Sequence, residues 1–233
     1  MSPEPLRPDA LAAAREDVIT CTRCPRLRQY SARIARDRKA AHRHDEYWGQ
    51  PVPGFGDPAA RLLVVGLAPA AHGANRTGRL FTGDGSGDFL MRAMHRHGFA
   101  NIPTSRSADD GLRLQDAYLT AAVRCAPPDN TPTLEELAAC RRHLEADLNA
   151  LPRIRVVVAL GKIAFDAWWR VQAARGVTPR PRPAFGHGLR CRIEGLPTVI
   201  ASYHPSRQNT NTGRLTPAML ASVFGEARRV IAI

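Results

Sequence analysis

The chain has 233 residues, 44% hydrophobic and 23% charged, with a formal net charge of +12. That size and composition suit one well-formed core. There is no run of about 18 apolar residues, which argues against a transmembrane helix, and the charged N-terminus lacks the apolar region of a secretory signal. We therefore expect a cytoplasmic protein.

The basic residues are nearly all arginine, with Lys39 and Lys162 the two lysines among 33. A GC-rich genome would explain arginine in place of lysine, but not the excess over aspartate and glutamate. Arginine binds phosphate through a bidentate fork, so this excess favours a nucleic-acid partner.

Residues 1–60 are predicted to form an irregular N-terminal extension, in which only residues 9–17 have a helical pattern. The extension carries Cys21 and Cys24, a basic segment up to His44, and a loop rich in glycine and proline. A buried strand is predicted next, over residues 61–69.

A glycine-rich loop (residues 66–84) ends that strand, and it lacks both the P-loop and the dinucleotide-binding spacing. The helix after it is predicted to begin at Ser86, as N-cap, and to end near Gly98. A second strand is predicted over residues 116–127.

The strongest helix is predicted over residues 133–151, where Thr133 and Glu136 have the spacing of a capping box. A third strand (155–161), a helix (162–171), a loop with a small extra strand, a fourth strand (196–205) and a closing helix (216–233) complete the pattern.

Alternating strands and helices predict an α/β fold, with one three-layer α/β/α domain over residues 1–233 and a central four-stranded, mainly parallel sheet. Ligands of such folds bind at the carboxyl ends of the strands. Three strand ends carry polar or Gly/Pro-rich sequence, GLAPAAHG, RCAPPDNTP and SYHPSRQN, and they predict one cleft.

Four of the five cysteines are predicted to meet at one centre: Cys21, Cys24, Cys125 and Cys140. A single CxxC pair with two scattered cysteines favours a [4Fe-4S] cluster that ties the N-terminal extension to the sheet. A structural zinc site, which usually has two short CxxC pairs, and unliganded core cysteines are the alternatives. Cys191 has no partner motif and is interpreted as a small buried hydrophobe.

The motifs GLAPAAHGANRTGRLFTGD, VRCAPPDNTPT and SYHPSRQNTNTGRLT, together with the cysteine pattern, resemble the uracil-DNA glycosylase superfamily, most closely its family 5 enzymes. The resemblance covers nearly all of the chain from Cys21 onward. It implies excision of uracil, and of other deaminated bases such as hypoxanthine, from double-stranded DNA. A monomeric, nucleoid-associated bacterial enzyme is expected.

The resemblance also implies roles for individual residues. Phe81 matches the aromatic on which the extruded base stacks, and His204 the donor to the oxygen of the departing base. The first motif has no polar side chain where many members of the superfamily carry Asp or Asn, so Asp84 is the preferred water-positioning group and Asn130 the second. The alternative roles are capping of the helix that starts near Ser86 for Asp84, and a turn residue for Asn130. The other residues expected around the base are Gly66, Ala68, Pro69, Ala70, His72 and Asn75.

The loop after His204 is expected to enter the duplex, through Ser206, Arg207, Gln208 and Asn209. Arg76, Arg79 and Arg214 are the expected phosphate contacts. Two other functions stay open: a catalytically inactive nucleic-acid-binding protein of the same fold, and a phosphate-processing α/β enzyme with a zinc site.

Overall fold

The structure is a computed structural model that describes residues 5–232. Its helices are α1 (Pro8–Ile19), α2 (Pro25–Asp37), α3 (Ala74–Thr77), α4 (Gly85–Arg96), α5 (Leu134–Ala150), α6 (Lys162–Ala174), α7 (Arg207–Asn211) and α8 (Pro217–Ala232). Its strands are β1 (Phe55–Gly56), β2 (Leu62–Gly66), β3 (Ala117–Ala121), β4 (Val156–Leu160), β5 (Arg190–Cys191) and β6 (Thr198–Ser202). Short 3₁₀ turns occupy Ala40–His42 and Pro128–Asn130.

The strands form one sheet in the order β1-β3-β2-β4-β6-β5. The four central strands run parallel, as predicted, with Val64 opposite both Leu119 and Val158. The predicted strand count is wrong, because β1 and β5 add antiparallel edges. Strand β5 lies in the segment where a small extra strand was predicted, whereas β1, two residues long, is too short to show a hydrophobic period in the sequence.

Each central strand is buried on both faces, which explains its continuous apolar sequence. Successive side chains point to opposite faces. Leu62 and Val64 join the core beneath α4 and α8, whereas Leu63 and Val65 join the core that contains residues of α5 and α6. Two helical layers around the sheet confirm the predicted α/β class.

The helix starts follow local capping chemistry. The capping box of α5 is confirmed, since Thr133 accepts from the Glu136 amide and Glu136 accepts from the Thr133 amide. The predicted start of α4 at Ser86 is wrong. Asp84 is the N-cap, and its Oδ1 accepts a hydrogen bond from the Gly87 amide at 2.9 Å.

The N-terminal part is more ordered than the predicted irregular extension. Beyond α1, which packs against α5, it contains the helix α2 with Pro25 in its first turn. Leu27, Tyr30 and Ile34 have helical spacing in α2, but arginines separate them and only Leu27 and Ser31 are buried. The predicted irregular extension is therefore wrong over this segment.

Among residues 5–232, no helix combines the length and the apolar character needed to cross a membrane.

Candidate active site

The glycine-rich loop and the end of β6 meet at the carboxyl edge of the sheet. The rings of Phe81 and His204 lie with centroids 6.1 Å apart and planes 30° apart. A β-carbon on Gly161, which follows β4, would lie 3.3 Å from the His204 β-carbon. Three strand ends therefore contribute to one place.

Phe81 is held in an unusual backbone conformation, with φ at +51°. Glycines make room for it. A β-carbon on Gly66 would lie 2.6 Å from Cζ of Phe81, and one on Gly87 would lie 2.1 Å from its carbonyl oxygen. These close contacts hold the ring over the end of β2, where Phe81 is half-buried.

His204 carries a neutral imidazole at physiological pH. Burial lowers the pKa of His204 to about 4 because the charged ring loses its water. The backbone around it is anchored by Asn209, whose Nδ2 donates to the His204 carbonyl at 2.8 Å. The neutral imidazole keeps one ring N–H that can donate a hydrogen bond.

Asp84 lies at the start of α4, with part of its carboxyl group desolvated. Burial raises the pKa of Asp84, while hydrogen bonds from the backbone of Gly87 and Ser86 and the charge of Arg207 oppose that rise. Its Oδ2 is close to Gly73, where a β-carbon would lie at 2.2 Å. Glycine at position 73 is therefore needed for this placement of the carboxylate.

The first motif, with its small residues, forms the wall beside these groups. Pro69 is buried, and Ala68 and Ala70 are half-buried. Ala70 also orders the loop, since its carbonyl accepts from the Gly73 and Asn75 amides. Nδ1 of His72 forms a hydrogen bond of 3.0 Å with the Tyr47 hydroxyl, and the His72 tautomer decides which of the two is the donor.

Three polar residues of the loop are engaged by the protein itself. Asn75 is fully buried and donates to the Ser31 carbonyl of α2 at 3.2 Å. Arg76 pairs with Asp45 at 2.7 Å. Arg79 is 8% exposed and makes a bidentate pair with one acidic side chain, Asp110, at 2.8 Å.

Asn130 lies apart from the buried groups, as an exposed residue in the turn after β3 with φ at +55°. The segment after His204, expected to be a loop, forms the helix α7, with Ser206 as N-cap. Arg207 and Gln208 are exposed at its start. Arg214 is stacked over the Tyr203 ring at 4.6 Å.

The four predicted cysteines line one cavity, which we call the cysteine cavity: Cys21, Cys24, Cys125 and Cys140. Burial raises the pKa of Cys125 and of Cys140 to about 12, so both are neutral when unliganded. Among residues 5–232, no three His, Cys, Asp or Glu side chains are grouped to hold a single metal ion. Cys191 lies away from the cavity, on β5.

The family follows from comparison of the whole sequence with known proteins. The profile of the uracil DNA glycosylase superfamily matches residues 53–228. The chain belongs to this superfamily. The resemblance inferred from the motifs is thereby confirmed.

Relatives within the superfamily differ in their similarity to the protein. A type-5 uracil-DNA glycosylase of Thermus thermophilus is 51% identical over 215 residues, which cover 92% of this chain and 95% of the relative. A type-5 enzyme of Mycobacterium tuberculosis is 48% identical over 217 residues, 93% of this chain and 80% of the relative. A type-4 enzyme of Pyrobaculum aerophilum is 30% identical over 163 residues, 69% and 74% of the two chains.

Some contacts of the site were missed by sequence reasoning. Gly161 was not singled out, although a β-carbon there would lie 3.3 Å from the His204 β-carbon. Tyr47, which contacts His72, was also missed. The signal in each case is weak, because a single glycine or tyrosine in a loop does not indicate which distant residue it will touch.

Proposed function

We propose that the protein is a monofunctional DNA glycosylase that hydrolyses the N-glycosidic bond of uracil in double-stranded DNA and leaves an abasic site. The observation that carries this proposal is the approach of Phe81 and His204 at 6.1 Å, with Asp84 on the same loop. The names of the type-5 relatives support it.

The reaction requires a surface that holds the extruded base, a donor to the oxygen of the departing base, and a group that orients the attacking water. The sugar passes through an oxocarbenium-like transition state while the base departs as an anion. The base must first be rotated out of the duplex, and Phe81 offers a flat surface on which it can stack. His204 donates to the oxygen on which negative charge develops.

Asp84 is proposed to orient the attacking water and to stabilise the positive charge on the sugar. The ionised carboxylate is the active form in both roles. The water adds to C1′ of the sugar, its proton passes to the carboxylate or to solvent, and the base leaves with the electrons of the broken bond. Asn130 is the second candidate for contact with the water or the base.

The wall formed by Gly66, Ala68, Pro69 and Ala70 has no large polar side chain to reject a differently substituted ring. We therefore propose that the pocket also accepts hypoxanthine and related deaminated bases. His72 would shape the floor of this pocket through its contact with Tyr47.

The proposed DNA contacts lie on α7 and after it. Ser206, Arg207, Gln208 and Asn209 would fill the space left by the base, and Arg214 would bind phosphate. We assign Asn75, Arg76 and Arg79 to positioning of the glycine-rich loop, because the Asn75 amide nitrogen and both guanidinium groups already have protein partners.

The cysteine cavity is proposed to hold a [4Fe-4S] cluster. A single zinc needs its sulfurs about 2.3 Å from one point, and the cysteines are not grouped in that way among the described residues. A cluster accepts sulfurs that are farther apart. Bound by Cys21, Cys24, Cys125 and Cys140, it would cross-link α2, the end of β3 and α5.

Substrate, location and assembly follow from the same proposal. Because its proposed substrate is genomic DNA, the protein would act at the nucleoid, in the cytoplasm. One domain acting as a monomer is sufficient, because every proposed catalytic group comes from one chain.

The test is an excision assay on duplexes that contain a single uracil, a single hypoxanthine or unmodified bases, followed by alkali. We expect strand breaks at uracil only after alkali, because a monofunctional enzyme leaves the backbone intact. Breaks before alkali would contradict the monofunctional mechanism. Binding to every duplex without any excision would favour the inactive DNA-binding protein instead.

A further inference from the structure

The positive charge of the protein is concentrated in one segment that the proposed active site does not use. Residues 23–44 contain eight arginines and lysines and a single acidic residue, Asp37, so they carry +7 of the net charge of +12. The eight are Arg23, Arg26, Arg28, Arg33, Arg36, Arg38, Lys39 and Arg43. Seven of them are exposed, with Arg28 half-buried.

Helix α2 arranges part of this charge in a row. Arg26, Gln29, Tyr30, Arg33 and Arg36 line a shallow groove, and their spacing of three or four residues places them on one side of the helix. We call this side the basic face of α2. With a rise of about 1.5 Å per residue, its arginines span about 15 Å.

Most of this charge is not neutralised by the protein. Within residues 5–232, Arg26 is the one cation of the segment with a carboxylate partner, Glu136 at 2.7 Å. Arg33 lies over the Tyr30 ring at 5.4 Å, and Arg36 forms no ion pair with a described residue. A row of like charges that repel one another is costly to keep unless a polyanion binds it.

The opposite side of α2 is attached to the candidate active site. The Ser31 carbonyl accepts from Asn75 of the glycine-rich loop, and the Ser31 hydroxyl accepts from the Ala126 amide after β3. Pro128, in the turn that follows, forms the far wall of the groove. The basic face therefore borders the same edge of the sheet as the base pocket.

The position of α2 complements that of α7. The helix α7 follows β6, whereas α2 is attached beside β3, and β2 and β4 lie between these two strands. At about 4.8 Å per strand, β3 and β6 are about 14 Å apart. At about 3.4 Å of helix axis per phosphate on one strand, that distance corresponds to roughly four base pairs.

We propose that the basic face of α2, through Arg33 and Arg36, binds phosphates of the duplex several base pairs from the flipped nucleotide, on the side of the pocket opposite α7. The inference rests on the proposed function and names a second DNA-binding surface for it. A DNA backbone is favoured over an acidic protein because the face has a row of cations with Tyr30 as its one large ring and no apolar anchor.

The experiment compares two double variants that remove equal charge. R33A/R36A removes cations of the basic face. R113A/R170A, the matched control, removes an exposed arginine before β3, at the amino edge of the sheet, and another well into α6. Affinity for an undamaged 30-base-pair duplex is measured over a range of salt concentrations.

Each lost phosphate contact should reduce the slope of log K against log salt by about 0.9. We expect R33A/R36A to reduce the slope by about 2 and to weaken binding roughly ten- to sixtyfold at 0.1 M salt. R113A/R170A should leave the slope unchanged, and R33K/R36K should restore it. Equal slopes for the two alanine variants would overturn the proposal, since any effect would then reflect net charge alone.

A second substrate separates this inference from the proposed function. This substrate is a 30-base-pair duplex with one central uracil, and its excision is measured in a single turnover with enough protein to saturate the duplex, so that the rate reports chemistry and not affinity. R33A/R36A should then excise uracil as fast as the unaltered protein. Absence of excision from this duplex by the unaltered protein would contradict the proposed function, while the salt slope would still decide the role of α2.

Discussion

The base pocket and the cysteine cavity are built in opposite ways. The pocket takes Phe81, Asp84 and His204 from loops, and it depends on glycines that allow close approach. The cysteine cavity takes its thiols from the turn before α2, the segment after β3 and α5, and apolar side chains such as Leu27 and Leu137 pack beside them. The proposed pocket therefore depends on loops and close glycine contacts, whereas the cysteine cavity lies beside an apolar cluster.

The two regions share a wall. Ala68 of the first motif is packed against the apolar cluster that contains Cys125 and Cys140. Because this shared contact is a single alanine side chain, loss of a cavity thiol should act mainly on stability, whereas loss of the Asp84 or His204 side chain should act mainly on excision. The predictions below test this separation in order of decreasing effect.

The largest effect is expected for Asp84→Asn, with excision reduced about 10³- to 10⁴-fold. The amide can still cap α4. Because the pKa of Asp84 is raised in the folded protein, ionisation at pH 7 is destabilising, and removal of the charge should not lower Tm. Single-turnover excision and thermal unfolding measure the two quantities. A lower Tm with normal excision would show that Asp84 has a structural role as the cap of α4 and no catalytic role.

His204→Ala should reduce excision about 10²- to 10³-fold, through kcat rather than KM, because it removes one donor to the developing oxyanion. His95→Ala, on the exposed side of α4, is the matched control and should excise normally. A loss of less than about threefold in the His204 variant would show that another group stabilises the departing base.

Gly73→Ala should reduce excision on the order of 10²-fold, because its β-carbon would lie 2.2 Å from Asp84 Oδ2 and would displace the carboxylate. Gly186→Ala is the control, since a β-carbon there meets nothing within 4 Å. Equal rates for the two variants would mean that the position of Asp84 is not critical.

Cys125→Ser should act on stability. If the cavity holds a cluster, the variant should lose iron, sulfide and absorbance near 400 nm, and the free energy of unfolding should fall by about 3 kcal/mol. For a chain of this length Tm would fall by roughly 6–12 °C. Cys191→Ser should retain its iron, its sulfide and the absorbance near 400 nm. Zinc in place of iron in the unaltered protein would favour the structural zinc site.

The smallest expected effect is a shift in the pH profile. Excision should rise with pH as Asp84 ionises, with a midpoint above the ordinary carboxyl pKa. His204 should add no further limb between pH 5 and 8, because its pKa is about 4. The charge of Arg207 lowers the pKa of Asp84, so Arg207→Gln should move the midpoint upward. A downward shift would contradict this coupling.

Much of the fold was predictable because its signals are local. The four parallel strands are short apolar runs, and α5 is marked by a capping box at Thr133 and Glu136. The start of α4 was misplaced by two residues because aspartate and serine are both good N-caps, and spacing alone does not choose between Asp84 and Ser86.

The sequence indicated candidate site residues but not the contacts around them. Resemblance to the superfamily indicated Phe81, Asp84 and His204 by number, but not that Asn75 and Arg79 face inward. Whether an arginine binds DNA or an internal carboxylate depends on what the fold places beside it. In the case of Arg79 that neighbour is Asp110, 31 positions farther along the chain.

The sequence by itself determined the class of the fold, the family and the excess of positive charge, since each depends on composition, short periodic patterns or motifs. Only the tertiary structure decided that α2 is a helix with one side attached to the pocket and the other side basic. The physical reason is that a residue's neighbours across the sheet are set by packing of distant segments. No local pattern encodes that packing.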